Sequence, residues 1–156
     1  MDIKSMTLDE LKDACQQMGE KPFRAKQLYD WMHHRLAGSY DEMTNLPKNL
    51  RATLAEELPL LPAAVIDRQV SSDGTRKYVI QFTDGTATEM VAIPSQDRLT
   101  VCFSTQVGCA MACSFCATGH EGFTRNLFFP GEMVEQVLIA QHLIWVRRVT
   151  NLCCNG

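Results

Sequence analysis

The stretch Gly108-Cys109-Ala-Met-Ala-Cys113-Ser-Phe-Cys116-Ala-Thr-Gly119 constrains this chain more than any other. Its CxxxCxxC spacing puts three thiols on one short loop, and thiolates are nucleophiles and metal ligands that are costly in a reducing compartment unless something occupies them. A metal centre answers that cost. A thioredoxin-like site uses only Cys113-Ser-Phe-Cys116 and leaves Cys109 without a task. Structural zinc takes four ligands, and no second half-site follows Cys116, although Cys102 can supply a fourth. Three thiolates on one loop favour an iron–sulfur cluster; zinc with Cys102, and a plain redox or structural thiol site, are the alternatives.

The seven cysteines are odd in number and clustered, which argues against a secreted disulfide scaffold and for a reducing compartment. The N-terminus, with Leu8-Asp-Glu-Leu11-Lys-Asp, has no basic segment followed by an apolar one, so no signal peptide is expected. The apolar run Val137 to Ala140 is broken by Gln141 and His142, too short to span a bilayer. A cytoplasmic chain with no membrane partner is the expectation. The net charge of −3 disfavours nucleic acid as a partner. Its distribution is less adverse: Lys21, Arg24, Lys26, Arg35, Lys48 and Arg51 outnumber Asp30, Asp41 and Glu42, with Phe23, Tyr29 and Trp31 interleaved. That is an RNA-contact pattern whose plainer alternative is a solvated helix face.

Thr7-Leu-Asp-Glu10 reads as a capping box opening a helix with Leu8, Leu11, Cys15 and Met18 on one stripe, stopped by Gly19. Pro22 starts a second helix, with Leu28, Trp31, Met32 and Leu36 inward, ending near Gly38. Pro47 starts a third through Leu50, Leu54 and Leu58. Pro59 and Pro62 break the chain, so residues 1–60 read as a small helical, RNA-contacting domain. Strands at 63–70, 75–82 and 86–93, joined at Asp73-Gly74 and Asp84-Gly85, form an antiparallel meander within a linking region, 61–97. The alternation puts Glu89 with Ala87, Val91 and Ile93 on the more apolar face, where desolvation would raise its pKa and suit it to act as a base. A solvent-facing charge is the alternative. From residue 98 a strand at 99–105 carries Cys102, with Thr100 and Ser104, on its small polar face. After the cysteine loop, a helix from Pro130 to about Val146, striped by Met133, Val137, Ala140 and Ile144, leads to a strand at 149–154. Strand, loop, helix, strand is one unit of a parallel α/β sheet or barrel.

The run from Thr100 to Leu127, with Gln106-Val-Gly before the cysteines and Gly122-Phe-Thr-Arg-Asn-Leu127 after them, closely resembles the cluster segment of the RlmN/Cfr family of radical SAM RNA adenine methyltransferases. Lys21-Pro-Phe-Arg-Ala-Lys-Gln27, Asp41-Glu-Met-Thr-Asn-Leu46, Asp73-Gly-Thr-Arg-Lys-Tyr78 and Glu89 extend the resemblance across nearly the whole chain. It implies an α/β fold: a small helical domain, a short meander, then the start of a radical SAM partial (β/α) barrel, truncated after its second strand. It also implies a [4Fe-4S] cluster on Cys109, Cys113 and Cys116, whose open iron binds S-adenosyl-L-methionine, and Phe115 near the cofactor's adenine. In the family one S-adenosylmethionine methylates a late cysteine, and a second supplies the radical that activates that methyl group for addition to adenine.

By the same resemblance Glu89 is the proton acceptor, and Cys102 the thiol that forms a disulfide with the methyl-carrying cysteine to release product. Substrates would be 23S rRNA and tRNA, with transfer to adenine C2 in RlmN-like members and to C8 in Cfr-like ones; Phe23 to Gln27 looks more RlmN-like. A reductant such as flavodoxin and a monomeric state are implied. After Leu152 the family's Gly-Glu-Pro motif and late cysteine find no counterpart, so a truncated member, inactive alone, is expected, with a non-catalytic metal- or RNA-binding fragment as the alternative.

Overall fold

The structure is a computed structural model describing residues 3–127, 130–144 and 146–155. The chain divides into two compact units, Met1–Pro62 and Ala63–Gly156.

The first unit is helical. Thr7 caps α1 (Leu8–Gln17): its hydroxyl accepts from the Glu10 amide at 3.3 Å, and the Glu10 carboxylate accepts from the Thr7 amide at 2.7 Å. This reciprocal pairing satisfies two N–H groups that a helix start otherwise leaves open. Leu11 and Cys15 face inward, as their spacing requires. Helix α2 (Phe23–His33) buries Ala25, Leu28 and Met32. It stops short of the expected end at Gly38, because the chain turns back through Leu36 with φ at +59° and Ala37 donates its amide to the Trp31 carbonyl. After a 3-10 turn at Tyr40–Glu42, α3 (Lys48–Glu57) lays Leu50 and Leu54 against Ile3, Leu11, Leu28, Met32 and Met43 in one apolar core.

The second unit is built on β1 (Ala64–Val70), β2 (Arg76–Gln81), β3 (Ala87–Ser95) and β4 (Arg98–Ser104), an antiparallel meander. A short hairpin follows, β5 (Gln106–Gly108) and β6 (Phe123–Asn126), enclosing the cysteine loop and the one-turn helix α4 (Ala117–His120). Helix α5 (Pro130–Leu143) then returns the chain to β7 (Asn151–Asn155), which pairs with β4 in parallel. The sheet order is β1-β2-β3-β4-β7. A parallel pair needs a crossover of this kind, and α5 supplies it. The expected helix end at Val146 lies beyond the observed one, and Trp145 is outside the described residues. The boundary drawn at residue 97 from sequence has no counterpart in the sheet, because β3 and β4 pair directly, Val91 opposite Cys102 and Ala92 opposite Val101.

One face of this sheet is covered. Tyr78 and Ile80 of β2, Met90 and Ala92 of β3, and Leu99 and Val101 of β4 form a core with Ala140 and Ile144. The buried face of β3 is therefore Thr88-Met90-Ala92, and Glu89 lies on the other. The expectation of a desolvated carboxylate is corrected here: Glu89 has its side chain 53% exposed and ion-pairs with Lys77 at 2.8 Å. Both faces of β3 carry apolar residues, and it is the large side chains of its neighbours that decide which one is inward.

Candidate metal centre

The cysteine loop leaves the C-terminal end of β4, and a buried glutamine fixes that end. Gln136 of α5 is fully buried; its side-chain oxygen accepts from the Ser104 amide and its nitrogen donates to the Ser104 carbonyl, each at 3.0 Å. The helix thus satisfies both backbone groups of the residue where the strand ends, which would be expensive to leave unpaired in the interior. Next comes the neck of the loop. Cys109 donates its amide to the Gly122 carbonyl at 2.9 Å, and Gly108 adopts φ +74° with no room for a side chain: a Cβ there would lie 1.9 Å from the Gly122 oxygen. Gly108→Ala is expected to destabilise this unit by about 2 kcal/mol or more, combining left-handed strain with overpacking against backbone. A urea unfolding midpoint unchanged by the substitution would contradict the close approach.

Within the loop, the Cys116 amide donates to the Cys113 carbonyl at 3.1 Å, and a Cβ on Gly119 would meet the Cys113 amide nitrogen and carbonyl oxygen at 2.9 Å. The Gly119 backbone is therefore packed directly on Cys113. His120 Nε2 lies 3.0 Å from the Ser114 carbonyl. Cys109, Cys113 and Cys116 are half-buried free thiols. Their donor chemistry, three soft sulfurs on one glycine-hinged loop, fits a thiolate-held cluster. Among the described residues, however, no three Cys, His, Asp or Glu side chains converge on one point. The loop carries large apolar side chains outward: Phe115 is 91% and Met111 76% exposed.

The hairpin bearing this loop is tied to the sheet by Arg125, which the sequence reading did not single out. Its two terminal nitrogens donate to Glu132 Oε2 and Oε1, each at 2.8 Å, and one of them also to Thr86 Oγ1 at 3.1 Å. Nε lies 2.8 Å from Asp84 Oδ2, and the guanidinium sits 5.6 Å from the Phe82 ring centroid. The hydrogen bond to Glu132 is the main reason its pKa stands above the usual guanidinium value. One side chain thus joins β6, the β2–β3 turn and the first turn of α5.

On the open face of the sheet, Cys102 and Glu89 lie on neighbouring strands, and the Ser104 hydroxyl donates to the Glu89 carbonyl at 2.8 Å. Burial, and then the neighbouring Cys153 thiol, push the Cys102 thiol above its ordinary pKa. The structure thus brings Cys102 and Glu89 onto one face and the three loop cysteines into one loop beyond its edge.

A cysteine-bearing loop at the C-terminal end of the first strand of a β-loop-α-β unit defines a class: α/β proteins that seat a cofactor at the ends of their parallel strands. Comparison with known proteins specifies it further. Residues 1–59 match the model of the ribosomal RNA large subunit methyltransferase N-terminal domain. The chain is 44% identical over 160 aligned residues to the dual-specificity RNA methyltransferase RlmN of Magnetococcus marinus, covering 100% of this chain and 44% of that protein. It is 45% identical to a probable dual-specificity RNA methyltransferase RlmN of Synechococcus elongatus, covering 96% of this chain and 41% of that one. A crystal structure of a radical SAM methyltransferase from Sphaerobacter thermophilus superposes with a TM-score of 0.89 at 44% identity, covering 97% of this chain and 45% of the other. Over nearly its whole length the chain is thus similar to RlmN RNA methyltransferases, and it spans less than half the length of the curated relatives it matches.

Proposed function

We propose that the chain belongs to a radical SAM enzyme that methylates C2 of adenine in 23S rRNA and tRNA through an S-methylcysteine, with Cys109, Cys113 and Cys116 holding a [4Fe-4S] cluster. The observation that carries this reading is the three-thiol loop at the end of β4, in a chain that is 44% identical to a named RNA methyltransferase. A cluster with an open iron supplies one-electron cleavage of bound S-adenosylmethionine, chemistry that belongs to the cofactor and is oriented by the protein. The chain's own residues bind and orient. Phe115 offers an uncovered ring face on which the cofactor's adenine can stack. Glu89 serves as proton acceptor from a solvent-open position, with Lys77 holding the carboxylate in place until it is displaced. Cys102, on the same face, serves as the release thiol. Flavodoxin or a similar reductant supplies electrons, and the protein works as a cytoplasmic monomer.

Anaerobic reconstitution tests the cofactor part: about four irons and four sulfides per chain are expected, with an electron paramagnetic resonance signal that changes when S-adenosylmethionine is added. A cluster whose spectrum ignores S-adenosylmethionine would refute the open iron. In the full-length context, methyl label recovered as 2-methyladenosine supports C2 transfer, and 8-methyladenosine would assign C8.

For RNA contact, the helical unit offers a groove of about 730 Å³ lined by Ser39, Asp41, Lys48, Arg51, Pro59 and Leu60, among others. Not all the basic residues are available to it. Arg24 donates to Gln27 and to the Asn45 carbonyl, and Arg51 donates to the Asp41 carbonyl, so both act mainly within the fold. Lys21, Lys26 and Lys48 are exposed and carry no such tie among the described residues. Reversing these three lysines should weaken RNA binding and flatten its dependence on log salt by roughly 0.7–0.9 for each phosphate that is no longer neutralised. An unchanged slope in a filter-binding titration would leave a solvated face as the better account.

A further inference from the structure

Cys102 and Cys153 stand directly opposite each other in the parallel ladder of β4 and β7. Registered residues on adjacent strands project to the same face of a sheet, so the two thiols lie side by side, while Cys154, opposite Phe103, belongs to the other face. They are near enough for the Cys153 thiol to contribute to holding the Cys102 thiol above its ordinary pKa. Both are free; Cys102 is half-buried and Cys153 exposed. Adjacent strands run about 4.7–4.9 Å apart, within the Cα separation of about 4.4–6.8 Å that a disulfide accepts. That spacing lies below the common disulfide Cα separation of about 5.5–6 Å, and a bond closed away from its preferred geometry is strained and readily reduced again.

We propose that Cys102 and Cys153 form a dithiol site that exchanges with small-molecule disulfides and closes to an intrachain Cys102–Cys153 bond. With oxidised glutathione the steps balance. The exposed Cys153, as thiolate, attacks one glutathione sulfur, breaking the glutathione S–S bond and releasing one glutathione as thiolate. Cys102, as thiolate, then attacks the Cys153 sulfur of the mixed disulfide and releases the second. The two protein thiols lose two electrons and two protons, and one oxidised glutathione becomes two reduced ones. Cys102 is suited to the second step, because burial and the Cys153 thiol hold its own pKa up and make it a slow first attacker. A further consequence rests on the role proposed above for Cys102: oxidation takes the release thiol out of use. The bond itself does not depend on that role.

The test uses the unsubstituted 156-residue chain, equilibrated with mixtures of oxidised and reduced glutathione, quenched in acid, alkylated and cut with chymotrypsin without reduction. Cleavage after Leu99, Phe103 and Leu152 separates Cys102 from the loop cysteines and isolates Cys153 with Cys154. A peptide 100–103 disulfide-linked to peptide 153–156 is expected, retained in Cys154→Ala, lost in Cys153→Ser, and reversed by excess reduced glutathione. Peptide 100–103 joined to a loop-cysteine peptide, a link that survives Cys153→Ser, or Cys153 carrying glutathione while Cys102 stays alkylated would each overturn the proposal.

Discussion

Replacing Arg125 by alanine is expected to destabilise the sheet unit by about 3–5 kcal/mol, the range for removing one partner of a buried ion pair. Arg125 and Glu132 have side chains only 17% and 18% exposed, so the change leaves a carboxylate that gave up hydration and no longer receives its two donors. Asp84, at 45% exposed, contributes little because water screens it. Arg125→Lys should recover only part of the loss, since an ammonium cannot meet both Glu132 oxygens in one plane. Arg125→Met with Glu132→Leu should approach the parent, because that pair removes the orphaned charge as well as the bond. Urea unfolding of the parent and these three variants measures this. If Arg125→Ala and the double variant lose the same amount, the damage is lost packing and the ion-pair account fails.

Much of this architecture could be read from local signals. The capping box at Thr7, the prolines before α2 and α3, and the two Asp-Gly turns each act within a few residues, and each element formed where its signal stood. The hairpin around the cysteine loop could not be read in that way. Strands β5 and β6 are three and four residues long, too short for alternation to show, and their pairing relies on Gly108, whose missing side chain lets its backbone meet that of Gly122. Arg125 and Gln136 were missed for a related reason. Of the Arg125 partners Glu132 is near in sequence but Thr86 lies 39 positions away, and Ser104 lies 32 from Gln136, so no short window of sequence shows either network whole. Glu89 shows the opposite failure. The alternation of β3 was correct and its sign was not, because Tyr78, Ile80, Leu99 and Val101 on the neighbouring strands fix which face is buried. Cys153 stands out only once β7 comes into register with β4 beside Cys102.

The largest effect expected at the candidate site itself is loss of the cluster. Cys109→Ala, Cys113→Ala and Cys116→Ala should each bring reconstituted iron and sulfide from about four per chain to near zero. The loop explains why no substitute is at hand. Among the described residues no three Cys, His, Asp or Glu side chains stand together as a ready-made alternative ligand set. His120, the nearest ligating side chain in sequence, already has its Nε2 on the Ser114 carbonyl. Cys15→Ala and Cys102→Ala should therefore retain the cluster: Cys15 is sealed in the helical core and Cys102 is held in β4. Cys153→Ala and Cys154→Ala should retain it too, being strand residues paired with β4. Iron, sulfide and zinc analysis of the seven single variants, with visible absorption for the cluster, decides the question. Stoichiometric zinc that disappears in Cys102→Ala as well as in the three loop variants would mean a four-thiolate zinc site, and the iron–sulfur reading would fall with it.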